Sequence, residues 1–152
     1  MAERGAGRLP PAPAPDPSGG DPRAHLRGTE TVLLVDDEPS VRRTGSRILA
    51  RFGYEVLVAQ DGVEALEVLE SPAGAAVALV VTDMVMPRMD ARDLITRLRQ
   101  RWPTLPVLLS TGYDMGRLAP GELQLFSRLV PKPYTPEEIL TAVRQTLDER
   151  RR

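Results

Sequence analysis

Between Ala75 and Thr82 the chain reads AAVALVVT, eight residues without a charge and without the polar–apolar alternation of a strand that has one wet face. Such a run has to be covered on both sides, as a central strand is in a parallel sheet with helices above and below it. The neighbouring sequence supplies what that arrangement needs. Thr31–Val35 (TVLLV), Tyr54–Ala59 (YEVLVA), Leu105–Leu109 and the short Arg128–Val130 read as four further strands. Between them, apolar residues recur at helical spacing. Val41, Gly45, Ile48, Leu49 and Phe52 form one face, ended by Gly53. Val63, Leu66 and Leu69 follow Asp61 and Glu64, and Ala91, Leu94, Ile95, Leu98 and Trp102 follow Asp90 and Asp93. Ile139, Leu140, Val143 and Leu147 follow Thr135, Pro136 and Glu138. Each of these three starts pairs a capping side chain with an acid three residues later, the signature of a helix N-terminus. A further helix, fourth in chain order, is expected over Asp114–Leu125, although Pro120 and Gly121 interrupt it.

Strands alternating with helices imply an α/β fold with a doubly wound, five-stranded parallel sheet and five helices. The flavodoxin-like strand order, 2-1-3-4-5, is the one expected. The 152 residues suit one such domain, assigned to residues 31–149. Residues 1–30 read differently: they hold six of the fifteen prolines, five glycines and no aromatic residue, with four acids against four arginines. Such a stretch buries too little apolar surface to offset its ordering entropy, so it is expected to be a disordered leader or linker.

Composition removes several function classes. With no cysteine there is no disulfide framework, zinc–thiolate site or cysteine nucleophile. One histidine, His25, builds neither a multi-histidine metal site nor a serine triad. A net charge of −1 argues against binding nucleic acid or a membrane surface through bulk charge, and no apolar run reaches a bilayer-spanning length. A soluble, cytoplasmic protein is the expectation. Among the twenty basic residues only Lys132 is a lysine.

In a doubly wound sheet the working site lies beyond the carboxyl ends of the strands, at the point where strand order reverses. The first strand runs into Asp36, Asp37 and Glu38, the third into Asp83, the fourth into Ser110 and Thr111, and the fifth reaches Lys132 before Pro133. With the first and third strands as neighbours, Asp36, Asp37 and Asp83 converge in one pocket, opposite Thr111 and Lys132. Clustered carboxylates repel unless a cation is present, and an all-oxygen site of this kind suits Mg2+. A lysine and a hydroxyl facing a metal-bound carboxylate make a receptor for a phosphoryl group, with the carboxylate as nucleophile.

The stretches VLLVDDEP, TDMVMP (82–87), LLSTGY (108–113) and KPY (132–134) resemble the receiver domain of two-component response regulators, in order and at the usual spacing over residues 31–148. The resemblance implies that Asp83 accepts a phosphoryl group from a histidine kinase or histidine phosphotransfer protein. It implies that Asp36, Asp37, Asp83 and the Met84 carbonyl hold magnesium, that Thr111 is the switch hydroxyl, and that Lys132 contacts the phosphoryl group. It also implies a cis peptide between Lys132 and Pro133. Such a protein is a signalling module that catalyses only its own phosphorylation and dephosphorylation, acts through protein contacts, binds no nucleic acid or membrane, and has room for a homodimer on phosphorylation.

Four positions depart from the family pattern. Arg88 and Ala91 stand where glycine is common, Leu129 stands where the chemotaxis-type switch has an aromatic residue, and Pro131 removes a backbone donor, which suits an edge strand. The run Glu30–Asp37 behind a Pro-rich leader also resembles the entry to a receiver fused behind a histidine kinase core. A receiver used only as a scaffold is a further alternative. A phosphatase of the haloacid-dehalogenase type would want a second acid two residues after the nucleophile, where this chain has Val85.

Overall fold

The computed structural model describes residues 22–112, 119 and 121–150. Five strands, β1 (Thr31–Val35), β2 (Glu55–Ala59), β3 (Val77–Asp83), β4 (Val107–Thr111) and β5 (Arg128–Pro131), form one parallel sheet in the order β2-β1-β3-β4-β5. The four helices are α1 (Pro39–Arg51), α2 (Gly62–Glu70), α3 (Ala91–Arg101) and α4 (Pro136–Arg150). The expected strand order is therefore present.

The residues of β1 show why the sheet needs cover on both faces. Leu33 and Val35 join one core with Leu69 of α2 and Leu94, Ile95 and Leu98 of α3. Val32 and Leu34 join the other with Leu49 of α1 and Ile139, Leu140, Val143 and Leu147 of α4. All seven residues of β3 are buried. Among the described residues no helix is long and apolar enough to cross a membrane.

The helix starts follow their local chemistry. Thr135 and Glu138 form a reciprocal capping box, Glu138 N–H to Thr135 Oγ1 at 3.1 Å and Thr135 N–H to Glu138 Oε1 at 2.7 Å. Asp61 accepts from the Glu64 N–H, and Asp90 from those of Arg92 and Asp93. The strands β3, β4 and β5 run one or two residues further than expected at their carboxyl ends, so Asp83 and Thr111 are the last residues of β3 and β4. That extension matters, because it places both side chains on the rigid sheet.

Two expectations need correction. Among the described residues there are four α-helices, not five. Half of 114–125 lies outside the described residues, and what is described ends in a short 3-10 turn, Leu123–Leu125. The second correction concerns the leader. Residues 1–21 lie outside the described residues, but residues 24–30 are part of the domain. Ala24–Leu26 forms a 3-10 turn and Leu26, 2% exposed, enters the α1–α4 core. The Tyr54 hydroxyl donates to the Leu26 carbonyl at 3.2 Å, and the Gly28 N–H to the Phe52 carbonyl at 3.0 Å. The polar average of the segment conceals one leucine and one glutamate for which the domain has a place.

Candidate functional site

The order β2-β1-β3 sends the chain to opposite faces after β1 and β3, which opens a crevice at their carboxyl ends. Asp36 follows β1 with its N–H bound to the Ala59 carbonyl at 3.0 Å, and the residue is 2% exposed. Its Oδ1 accepts from the Glu38 N–H at 2.9 Å, and Arg42 donates to its carbonyl. Asp83 is 9% exposed, and its Oδ1 accepts from the Met84 N–H at 2.9 Å. Asp37 is exposed at the rim, and carboxylate oxygens of Asp36, Asp37 and Asp83 lie within 4.8 Å of one another.

Lys132 crosses the crevice from the end of β5. Its Nζ lies 2.9 Å from Asp36 Oδ2, 3.2 Å from Asp83 Oδ2 and 3.7 Å from Glu38 Oε1. The Lys132–Pro133 peptide is cis, as the resemblance implies. The Lys132 N–H reaches back to the Thr111 carbonyl at 2.9 Å, tying β4 to the same corner. Burial raises the Asp83 pKa and the Asp36 charge adds to that, while Lys132 pulls it back. Burial works against the charge on Lys132, but the hydrogen bond and charge of Asp36, with Asp83, outweigh it and hold its pKa above the usual lysine value.

Two buried hydroxyls lie at the end of β4, the strand whose Ser110 pairs with Asp83. The Oγ1 of Thr111 and the Oγ of Ser110 make no hydrogen bond among the described residues. A buried hydroxyl without a partner carries a desolvation cost. Because successive strand side chains point to opposite faces, only one of the two, assigned to Thr111 at the strand end, can serve an acceptor that arrives later in the crevice. Three carboxylates against one ammonium leave an excess of negative charge, and their oxygens are hard donors. That set fits magnesium, and Asp36, Asp37 and Asp83 would hold it. The Met84 carbonyl accepts from the Ala91 N–H at 3.0 Å, which leaves one of its two lone pairs.

The chain's residues 32–144 match the family model of the response regulator receiver domain. The chain belongs to that family. Among its relatives is the sensor kinase CckA of Brucella abortus (strain 2308), 39% identical over 127 residues, which are 82% of this chain and 13% of the kinase. The response regulator MprA of Mycobacterium sp. (strain KMS) is 37% identical over 117 residues, 76% of this chain and 50% of the regulator. The chain thus spans half or less of these relatives. Among solved structures, the signal receiver domain of an HD domain-containing protein from Pseudomonas fluorescens Pf-5 superposes with a TM-score of 0.69 at 26% identity, covering 81% of this chain and 90% of that one. A response regulator receiver domain protein from Clostridium thermocellum shares the fold, with a TM-score of 0.73 at 23% identity over 80% of this chain and 97% of that one.

Within this receiver, the sequence reading overlooked two charged arrangements, one beside the site and one at the amino ends of the first two strands. Arg88 pairs with both oxygens of the buried Asp61, Nε to Oδ2 at 2.8 Å and Nη2 to Oδ1 at 3.1 Å, and thereby lowers the Asp61 pKa. Among the described residues, Arg88 also carries the positive φ outside glycine, 65°. Of the two positions where glycine is common in the family, Arg88 takes the left-handed backbone and Ala91 opens α3 without it. On the other side of the sheet, Arg144 of α4 holds Glu30 through Nη2–Oε2 at 2.8 Å and Nη1–Oε1 at 3.2 Å. It also donates to the Tyr54 hydroxyl, the Arg27 carbonyl and Asp148. That hydrogen bonding from Arg144 brings the Glu30 carboxyl down to about 2. The helical pattern of α4 marks Arg144 as one more cation, and only the packed N-terminal segment reveals its role.

Proposed function

We propose that this receiver takes a phosphoryl group from the phosphohistidine of a histidine kinase or histidine phosphotransfer protein onto Asp83. The observation that carries the reading is Lys132 Nζ bridging Asp36 and Asp83, with Asp37 alongside and the unpartnered Thr111 hydroxyl close by. An Asp83 oxygen forms the new P–O bond as the P–N bond of the donor breaks, and the imidazole nitrogen keeps the electron pair. Magnesium held by the three aspartates would supply positive charge to the phosphoryl oxygens. Lys132 exchanges its contact with the Asp83 carboxylate for one with a phosphoryl oxygen, and the Thr111 hydroxyl donates to another. Water later cleaves the acyl phosphate, so the chain catalyses its own phosphorylation and dephosphorylation. The signal leaves through protein contacts.

The test is chemical labelling. Acetyl phosphate with magnesium is expected to add one phosphoryl group, at Asp83, read by intact mass and borohydride trapping. Undiminished labelling of Asp83→Asn refutes the assignment.

A further inference from the structure

The loop that leaves the phosphoacceptor is fastened to the start of α2 in a way that phosphoryl chemistry does not itself require. Met84 N–H is bound to Asp83, and the Met84 carbonyl accepts from Ala91 N–H, so residues 84–91 close a small ring beside the acidic cluster. Within that ring the Met89 N–H donates to the Pro87 carbonyl at 2.7 Å across Arg88, whose φ is 65°. This is a γ-turn of the positive-φ kind, which is rare and strained, and a long side chain at its centre is an unfavourable choice. The side chain also provides a hold. Arg88 makes its two-pronged contact with Asp61, which is 2% exposed and already caps α2. The next residue is fastened too: the Gly62 N–H donates to the Met89 carbonyl at 3.1 Å. A Cβ at position 62 would meet Met89 Cγ at 2.7 Å and Met89 O at 2.8 Å, so only glycine permits this approach.

We propose that Arg88 and Asp61 form a clamp that holds the 84–91 loop in register with the acidic cluster, and that Arg88 is a positioning residue for the cation site. Released from Asp61, the strained turn relaxes and the Met84 carbonyl moves relative to Asp83. The consequence for the cation rests on the functional reading above; the consequence for the loop does not. Because Arg88→Gly also removes the backbone strain, a purely structural role predicts a variant at least as stable as wild type with an unaltered site. The clamp predicts a stable variant with a looser loop and a weaker site.

The test uses Arg88→Gly, Asp61→Asn, Arg88→Lys and wild type. NMR hydrogen exchange without metal reads the Gly62 and Ala91 amides, and calorimetric titration with magnesium chloride reads the site. Arg88→Gly is expected to exchange both amides at least tenfold faster and to raise the magnesium dissociation constant threefold or more. Labelling by acetyl phosphate should slow at low magnesium and recover at saturation. Arg88→Lys should restore part of each effect, and Asp61→Asn should resemble Arg88→Gly. Amide exchange at the wild-type rate in Arg88→Gly overturns the clamp, as does faster exchange with an unchanged magnesium affinity. A wild-type chain that takes neither magnesium nor phosphoryl, with exchange accelerated in Arg88→Gly, sinks the functional reading and upholds the clamp on the loop.

Discussion

Replacing Lys132 with alanine removes the one cation that touches both buried carboxylates of the site, and its cost can be worked from the geometry. At an effective dielectric of about 20, contacts of 2.9 and 3.2 Å are each worth roughly 5–6 kcal/mol of gross attraction. Carboxylates at the 4.8 Å limit of the cluster repel by roughly 3.5 kcal/mol on the same scale. Desolvating the ammonium cancels much of that gain, and water enters where the lysine stem lay. Breaking a buried pair by deleting one partner costs about 3–5 kcal/mol, and this lysine side chain is 19% exposed, so the expected loss is about 2–4 kcal/mol. The assay is urea unfolding at pH 7 followed through Trp102, with EDTA and again with excess magnesium chloride. Lys132→Ala should lose that stability in EDTA and regain at least half of it with magnesium, because a divalent cation replaces the missing charge. Lys132→Arg keeps the charge and should stay within about 1 kcal/mol of wild type, yet fail in phosphoryl-dependent signalling because a planar guanidinium replaces a compact ammonium. An unfolding midpoint for Lys132→Ala in EDTA equal to that of wild type would refute the account of the site as a set of repelling carboxylates held by one ammonium.

Three other outcomes follow from contacts away from Lys132. The Glu30 carboxyl is held at about 2 against an ordinary 4.5, so its contribution is complete above 4.5 and disappears as pH falls from there toward 2. Glu30→Gln should therefore cost about 1–3 kcal/mol near neutrality and little at pH 2, read as urea midpoints across that range. Gly53 has φ 100° and a Cβ there would sit 2.3 Å from the Gly28 carbonyl oxygen, so Gly53→Ala should destabilise by about 2 kcal/mol. A midpoint shift worth under about 0.5 kcal/mol would show that the N-terminal segment yields instead. Thr111→Val deletes a buried hydroxyl that has no partner, so the unphosphorylated protein should keep its stability within about 0.5 kcal/mol. The same variant should lose any stabilisation that acetyl phosphate and magnesium confer on wild type, measured by thermal unfolding.

Much of this receiver can be read locally. A run such as Ala75–Thr82 announces a doubly covered strand because every side chain in it up to Thr82 is apolar. Capping boxes at Asp61 and Thr135 announce helix starts because their partners are three residues away. The acids, the threonine and the lysine at strand ends announce a site because a parallel sheet brings those ends together. The N-terminal segment was misread for the opposite reason. Leu26 is an isolated leucine in a stretch rich in proline, glycine and charge, and only the packing against Tyr54 and the α4 residues makes it part of a core.

By itself, the sequence determined the strand and helix periods, the sheet class and the identity of the residues at the carboxyl ends. Each of these depends on neighbours a few positions apart. Tertiary structure alone decided which charge answers which: Lys132 to Asp36 across 96 positions, Arg144 to Glu30 across 114, and Arg88 to Asp61 across 27. An arginine on a helix or in a loop has no local signature of its partner. That choice is made when folding takes the carboxylates of Asp61 and Glu30 out of water and brings a guanidinium within reach of each.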